Sequence, residues 1–590
     1  RAGTLVGLHF SATPIHDYDE AKVAVDTGLY RTFFTELLAR GVAFAPGPYE
    51  TLFPSLAHTA EDLERTVEAA AEAARHAAEA HGSSPDEAPP PMIRRERLGP
   101  VAEAADAATT DLRERNALER LAAGDHTLWQ DDPTEVADRL GWLPVIDELQ
   151  ARTGDLRAFA QGAAADGLTH AVLLGMGGSS LFPEVLNRTF GAGPLDLRVL
   201  DTTDPAAIAR VGELGLDRCL FVVASKSGST IETRTQFDHF WEATGQRPEQ
   251  FVVVTDPGSE LAAVGAERGL RHVFENRPDI GGRYSALSYF GMVPGALLGV
   301  DLDSLLGRAS ATDHPSGLRL GAIIAAAARA GRDKLTLVLP PEVAAFGLWL
   351  EQLVAESTGK HGIGIVPVAG EELGGPDAYG DDRLFVSLGF NPALDTLAAA
   401  GHPVVELVFR DPIDLGTQVV LWEVAVALAG AVLGINPFDQ PDVAAAKAAT
   451  AKVLEEGLPS IATVPPEQVI DQLGPGDYFV LQAFVDPGDA TLAAELERVR
   501  HLVRDRKKVA TTIGIGPRYL HSTGQLHKGG PPTGVFLQVV GDDAVDVPIP
   551  GRPYGFSTLK QAQAAGDLLS LRDRGLRAGR VRIDDLREYR

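Results

Sequence analysis

Short apolar runs that alternate with helical stretches constrain this chain more than any other feature. They occur at His170–Leu174, Cys219–Ala224, Phe251–Thr255, Leu335–Leu339, Gly364–Val368, Leu384–Leu388 and Val404–Phe409, and again at Tyr478–Val485, Val509–Ile515 and Val535–Val540. A run that is apolar on both faces suits a strand buried between two layers, and parallel neighbours need a crossover that a helix supplies. The pattern predicts an α/β chain with two doubly wound parallel-sheet lobes, residues 155–310 and 311–590, preceded by a helical lead-in over residues 92–154.

Ahead of these lobes stands His81–Pro91, HGSSPDEAPPP, whose polar and proline-rich residues bury little and read as a linker. Residues 1–80 carry an amphipathic helix over Asp26–Arg40 and an Ala/Glu/Arg helix over Ala60–Ala80, which is part of an α/β fold rather than a whole one. With 53 Lys and Arg against 81 Asp and Glu, the net charge of −28 disfavours nucleic acid and anionic membrane surfaces as partners. An anionic substrate then has to be held by local devices, such as helix N-termini and a few placed cations. The single cysteine, Cys219, forbids an internal disulfide and a Cys-based zinc cluster. It suits a reducing cytoplasm, an expectation shared by the lack of a charged-then-apolar leader. The most apolar window, Val419–Ile435, carries Trp422 and Glu423 and reads as a core helix, not a membrane span.

The first strand runs into Gly175-Met-Gly-Gly-Ser-Ser180, where glycines admit close approach of a ligand or of another backbone. The next delivers Ser225-Lys-Ser-Gly-Ser-Thr230 to a helix start, a dense set of donors for a phosphate monoester; an ordinary Ser/Thr cap with a solvated lysine is the plainer alternative. Two such turns on successive strands favour phosphate, since ligands bind at the carboxyl ends of parallel strands. Neither turn has the spacing of an ATP-binding loop or a dinucleotide fingerprint, so a sugar phosphate fits better than a nucleotide. Gly281-Gly-Arg283-Tyr-Ser285 can bring a fixed positive charge to a site. On the helix Val343–Ser357, Gln352 and Glu356 stand four apart on one face, and Glu356, ahead of Ser357-Thr-Gly-Lys360, is a candidate general base. Gln440 and Lys447, in the turn and helix of Ile435-Asn-Pro-Phe-Asp-Gln-Pro-Asp-Val-Ala-Ala-Ala-Lys447, complete the set.

These five ordered blocks resemble the phosphoglucose isomerase family over about Pro91–Arg590. The tail GPRYLHSTGQLHKGGPPTGVFLQ, Gly516–Gln538, is similar to the isomerase part of bacterial transaldolase fusions, although no transaldolase module is present. The resemblance implies sugar-isomerase lobes and reversible conversion of glucose 6-phosphate to fructose 6-phosphate through a cis-enediolate, with no metal or other cofactor, in a cytoplasmic homodimer. It implies that Gly178, Ser179, Ser225, Lys226, Ser227 and Thr230 surround the phosphate and that Gln352 and Gln440 line the pocket. By the same resemblance Glu356 is the base, Arg283 stabilises the enediolate and Lys447 takes part in ring opening.

The chain departs from the family's pattern in one place. A ring-opening histidine is usually donated by the neighbouring subunit from a block downstream of the base, and here Gly375–Arg383 contains none. His402 is the nearest substitute; His521 and His527 in the tail are others, as is Lys447 acting with water. Two other functions compete with the main reading. One is a sugar-phosphate sensor without catalysis, which would need no Glu356, Arg283 and Lys447 together; the other is an isomerase that also accepts mannose 6-phosphate. Residues 3–80 resemble the C-terminal part of glutamate-1-semialdehyde aminotransferase, without that family's Schiff-base lysine or pyridinium-binding aspartate, so no aminotransferase activity is expected.

Overall fold

The computed structural model describes residues 6–8, 10, 29–45, 47, 51–52, 57–80, 90–191 and 193–590. It falls into two compact units, Arg1–Pro90 with Val408–Arg410, and Pro91–Leu407 with Asp411–Arg590. In the first, β1 (Val6–Gly7) pairs antiparallel with β2 (Thr51–Leu52), and helices Leu29–Ala39 and Ala60–Ala80 share a small core around Phe33, Leu37 and Ala73. Residues 81–89 of the expected linker lie outside the described residues.

The second unit opens with β3 (Ile93–Arg97) and then builds a parallel sheet from β4 (His170–Gly175), β5 (Asp196–Leu200), β6 (Cys219–Ala224), β7 (Phe251–Thr255) and β8 (His272–Glu275), in the order β5-β4-β6-β7-β8. A second sheet takes β9 (Lys334–Val338), β10 (Val366–Val368), β11 (Arg383–Leu388) and β12 (Val404–Leu407) in the order β10-β9-β11-β12, with β3 added antiparallel at the β12 edge. A third, all parallel, is β14-β13-β15-β16, from β13 (Tyr478–Phe484), β14 (Ala510–Ile515), β15 (Gly534–Val540) and β16 (Arg577–Arg582).

The α/β class with parallel sheets is the one the alternation predicts. Residues 311–590, however, carry two sheets rather than one lobe, because an apolar run shows that a strand is covered on both faces but not which strand lies beside it. The central β6 and β7 are buried from end to end, and Phe221 stacks on Phe240 and Phe251 at 4.9 and 5.0 Å. The strands that hydropathy overlooks, β3, β5, β8 and β16, all stand at sheet edges, where alternate residues reach solvent and polar side chains are tolerated. The apolar window forms the helix Leu415–Leu433, closed by Gly434 at φ +76°. The stretch Pro412–Leu433 is long and apolar enough to cross a membrane, and its helix Leu415–Leu433 is buried throughout within the protein.

In the first sheet, the strands that follow β4 in sequence lie on its two sides, β5 on one and β6 on the other. This reversal opens a crevice at the carboxyl ends of β4 and β6, where α/β sheets bind ligands.

Candidate active site

The turn after β4 passes through Gly177–Ser179 into the helix Leu181–Phe190. Gly177 sits at φ +56°, and a Cβ there would come within 2.6 Å of the His521 carbonyl oxygen; a Cβ on Gly178 would lie 1.9 Å from that of Gly282. These glycines are required by two other chain segments that pack directly on the turn. After β6, Ser225 Oγ accepts from the Gly228 N–H at 3.1 Å and shares a hydrogen bond with Thr230 Oγ1 at 3.2 Å, while Ser227 and Ser229 hydroxyls meet at 2.9 Å. Thr230 precedes the helix Ile231–Ala243 without a side-chain cap bond. Lys226 is not the solvated lysine of an ordinary turn: it pairs with Asp256 and donates to the Pro278 carbonyl at 2.8 Å. Burial pushes the Asp256 carboxyl above the usual range, against the pull of Lys226.

The base candidate stands on the helix Phe346–Thr358, whose last turns are buried. The four-residue spacing puts Gln352 Nε2 3.0 Å from Glu356 Oε2, and Arg283 Nε lies 3.6 Å from the same oxygen. Arg283 is itself buried and donates to the carbonyls of Pro437, Phe438 and Asp439 at 3.3, 3.1 and 2.9 Å. Lys360 joins it on the same turn, reaching the Asn436 and Asp439 carbonyls at 2.8 Å and Asp439 Oδ1 at 2.6 Å. Burial, aided by the neighbouring Arg283 charge, lowers its ammonium to about 8. Three motifs far apart in the chain therefore lock together, with two cations satisfying the carbonyls of the turn just ahead of Gln440.

One cavity of about 540 Å³ is lined by Gly178, Ser179, Ser225, Lys226, Ser227, Thr230, Gln352 and Gln440, together with Glu356. All eight residues expected to bind substrate thus share a cavity with the expected base. Arg283 stands behind Glu356 rather than in the wall. Lys447 falls on the helix Val443–Glu456, and its side chain lies outside the described residues.

His402 needs correction. It sits just ahead of β12, at that strand's amino end, edge-on to Phe385 and Tyr379 at 5.5 and 6.0 Å, where burial lowers its imidazole, and it is not in the cavity wall. Proximity in sequence to the missing block does not bring it there, because ligands gather at the opposite, carboxyl ends of parallel strands. His527 is packed against Tyr519 and Phe536, with its imidazole lowered to about 3 by burial and the adjacent Lys528. His521 is the histidine in the wall, carried by the loop after β14. Lys360 and the turn Asp256–Ser259 were not among the sequence candidates. The second could have been found by the same rule as the first two turns, since Asp-Pro-Gly-Ser follows an apolar run and opens a helix. Among the described residues, no cluster of three or more His, Cys, Asp or Glu side chains forms a metal-binding group.

Comparison with known proteins gives a consistent picture. Residues 122–315 match the family model "Phosphoglucose isomerase". A glucose-6-phosphate isomerase of Gloeothece citriformis is 29% identical over 375 residues, covering 53% of this chain and 70% of the relative. One from Rubrobacter xylanophilus is 29% identical over 402 residues, covering 56% and 91%. Among solved structures, a hypothetical protein of Thermus thermophilus aligns with a TM-score of 0.52 at 24% identity, covering 61% of this chain and all of the other. A glucose-6-phosphate isomerase from Chlamydia trachomatis aligns with a TM-score of 0.50 at 20% identity, covering 60% and 86%; both structures bear on the fold.

Proposed function

We propose that this chain belongs to the phosphoglucose isomerase family and interconverts glucose 6-phosphate and fructose 6-phosphate. The observation that carries the reading is the Glu356 carboxylate, oriented by Gln352 and flanked by Arg283, in one cavity with two hydroxyl-rich turns at the switch point of a parallel sheet. The phosphate dianion lies against Ser179 and the Ser225–Thr230 turn, where hydroxyls and the N-terminus of the Ile231–Ala243 helix supply donors. Glu356 takes the proton from C2 of the open-chain aldose, forms a cis-enediolate and returns the proton to C1. Charge develops on the substrate oxygens during that transfer, and the buried Arg283 guanidinium, 3.6 Å from the Glu356 carboxylate, supplies a fixed positive charge from behind the cavity wall. Binding energy from the remote phosphate positions C1 and C2. No electron leaves the substrate in this shift, so one base, one cation and an anchor suffice.

A cytoplasmic homodimer serving glycolysis and gluconeogenesis belongs to the same reading, supported by the family and by the lone, buried Cys219. The test is Glu356→Gln, which keeps size and hydrogen bonding but accepts no proton. Turnover should fall on the order of 10²- to 10⁴-fold while sugar phosphate still binds. Wild-type protein should exchange the C2 hydrogen with deuterated solvent and the variant should not; near-normal exchange in the variant removes Glu356 from the mechanism.

A further inference from the structure

Glucose 6-phosphate in solution is almost entirely a closed ring, so a base at C2 has nothing to act on until a proton reaches the ring oxygen. We propose that His521, held by Glu232, is the acid that opens the ring, and that this chain supplies it to its own site. The inference rests on the isomerase reading above. Among the described residues, four titratable side chains line the cavity: Lys226, Asp256, Glu356 and His521. The first two are paired with each other and Glu356 is the base, so His521 is the one of these four left to act as an acid.

Its surroundings are those of a positioned acid. His521 Nε2 lies 2.9 Å from Glu232 Oε1, and the same oxygen accepts from Gln563 Nε2 at 2.7 Å. Gln563 Oε1 in turn accepts from Thr203 Oγ1 at 2.6 Å, and Glu232, Gln563 and Thr203 are all buried. A carboxylate acceptor places a hydrogen on Nε2, and Nδ1, which has no hydrogen-bond partner among the described residues, is left to exchange a proton with a ligand. The side chain is 17% exposed and lines both the site cavity and a second one of about 430 Å³. The backbone is fixed as tightly as the ring. Gln352 Nε2 donates to the His521 carbonyl at 2.9 Å while also holding Glu356, so one amide ties the proposed acid to the base. Upstream in the same loop, Arg518 pairs with buried Asp201 at 2.6 and 2.8 Å, and the Tyr519 hydroxyl donates to Asp567 at 2.6 Å.

In the step assigned to it, the C1–O5 bond breaks with its electron pair going to O5, which takes the proton from His521 Nδ1. The O1–H proton leaves to a solvent water, and the electrons of that bond complete the C1=O1 double bond. Closure of the ketose ring is the reverse reaction at C2. His521 touches the substrate and is a catalytic residue; Glu232 acts through it and is a positioning residue.

Ring opening followed by closure on either face interconverts the α and β anomers, so the two roles can be read separately. Magnetisation-transfer NMR on glucose 6-phosphate with the full chain measures anomer exchange, and deuterium uptake at C2 measures the base. Glu356→Gln should keep enzyme-accelerated anomer exchange and lose C2 uptake. His521→Asn and His521→Gln should lose anomer exchange on the order of 10²-fold or more. Their isomerisation rate should stop rising with enzyme concentration once it reaches the spontaneous ring-opening rate. Glu232→Gln should lower kcat for anomer exchange about tenfold at unchanged KM, with Glu232→Asp partly restoring it. Wild-type protein that does not accelerate anomer exchange, or His521 variants that exchange anomers like wild type, overturn the assignment. Failure of the isomerase reading looks different: undiminished C2 uptake in Glu356→Gln, or no turnover of glucose 6-phosphate by the wild type.

Discussion

Two buried glutamates in this chain show how surroundings decide what a carboxyl group does. Glu356 has an amide at 3.0 Å and a guanidinium at 3.6 Å on one oxygen, so it is both oriented and supplied with a counter-charge. Glu423, in the middle of the helix Leu415–Leu433, has no hydrogen-bond partner among the described residues for either oxygen, and burial alone pushes its carboxyl well above the ordinary value of 4.5. A folded-state pKa above the unfolded one means that the native state holds a proton the unfolded chain has lost. The contribution of Glu423 to stability is therefore complete below pH 4.5 and lost as pH rises from there towards the folded value. Glu423→Gln, which cannot ionise, should gain in melting temperature over wild type between pH 5 and pH 8. A difference between the two proteins that stays flat across that range would show that Glu423 does not titrate in this way.

At the level of elements, the site is a set of turns that fit only because some residues lack a side chain. A Cβ on Gly178 would strike the Gly282 carbonyl, backbone against backbone, so no rotamer can relieve it; a Cβ on Gly282 meets nothing within 4 Å. Gly178→Ala should therefore lower the melting temperature and reduce kcat/KM on the order of 10²-fold by displacing the turn that holds Ser179. Gly282→Ala should melt like wild type. Equal melting temperatures for the two variants would refute the argument that the contact is one-sided. The spacing of Gln352 and Glu356 on one helix face was legible in the sequence, and so was the gathering of two Ser/Gly turns at strand ends. The interlock of Arg283 and Lys360 on the carbonyls of Asn436–Asp439 was not, because residues more than seventy positions apart meet only after the sheets have assembled.

Over the whole molecule, all the site residues and the matched family segment lie beyond Pro91, while residues 1–80 carry their own small core. Deleting residues 1–88 should accordingly leave soluble protein with isomerase activity within a few-fold of the full chain, checked by a coupled assay with no added cofactor. Loss of activity or solubility on deletion would show that the first unit is needed by the second. Local pattern by itself determined which stretches become buried strands, that those strands run parallel, and which short blocks carry hydroxyls, a carboxylate and cations, because periodicity and turn chemistry act over a few residues. Only the tertiary structure decided that residues 311–590 split into two sheets, that edge strands such as Arg577–Arg582 join them, and that His521 rather than His402 reaches the cavity. Those outcomes depend on which strands become neighbours and on which end of a sheet a loop emerges. That is settled by packing between distant segments, on which the spacing of residues along the chain is silent.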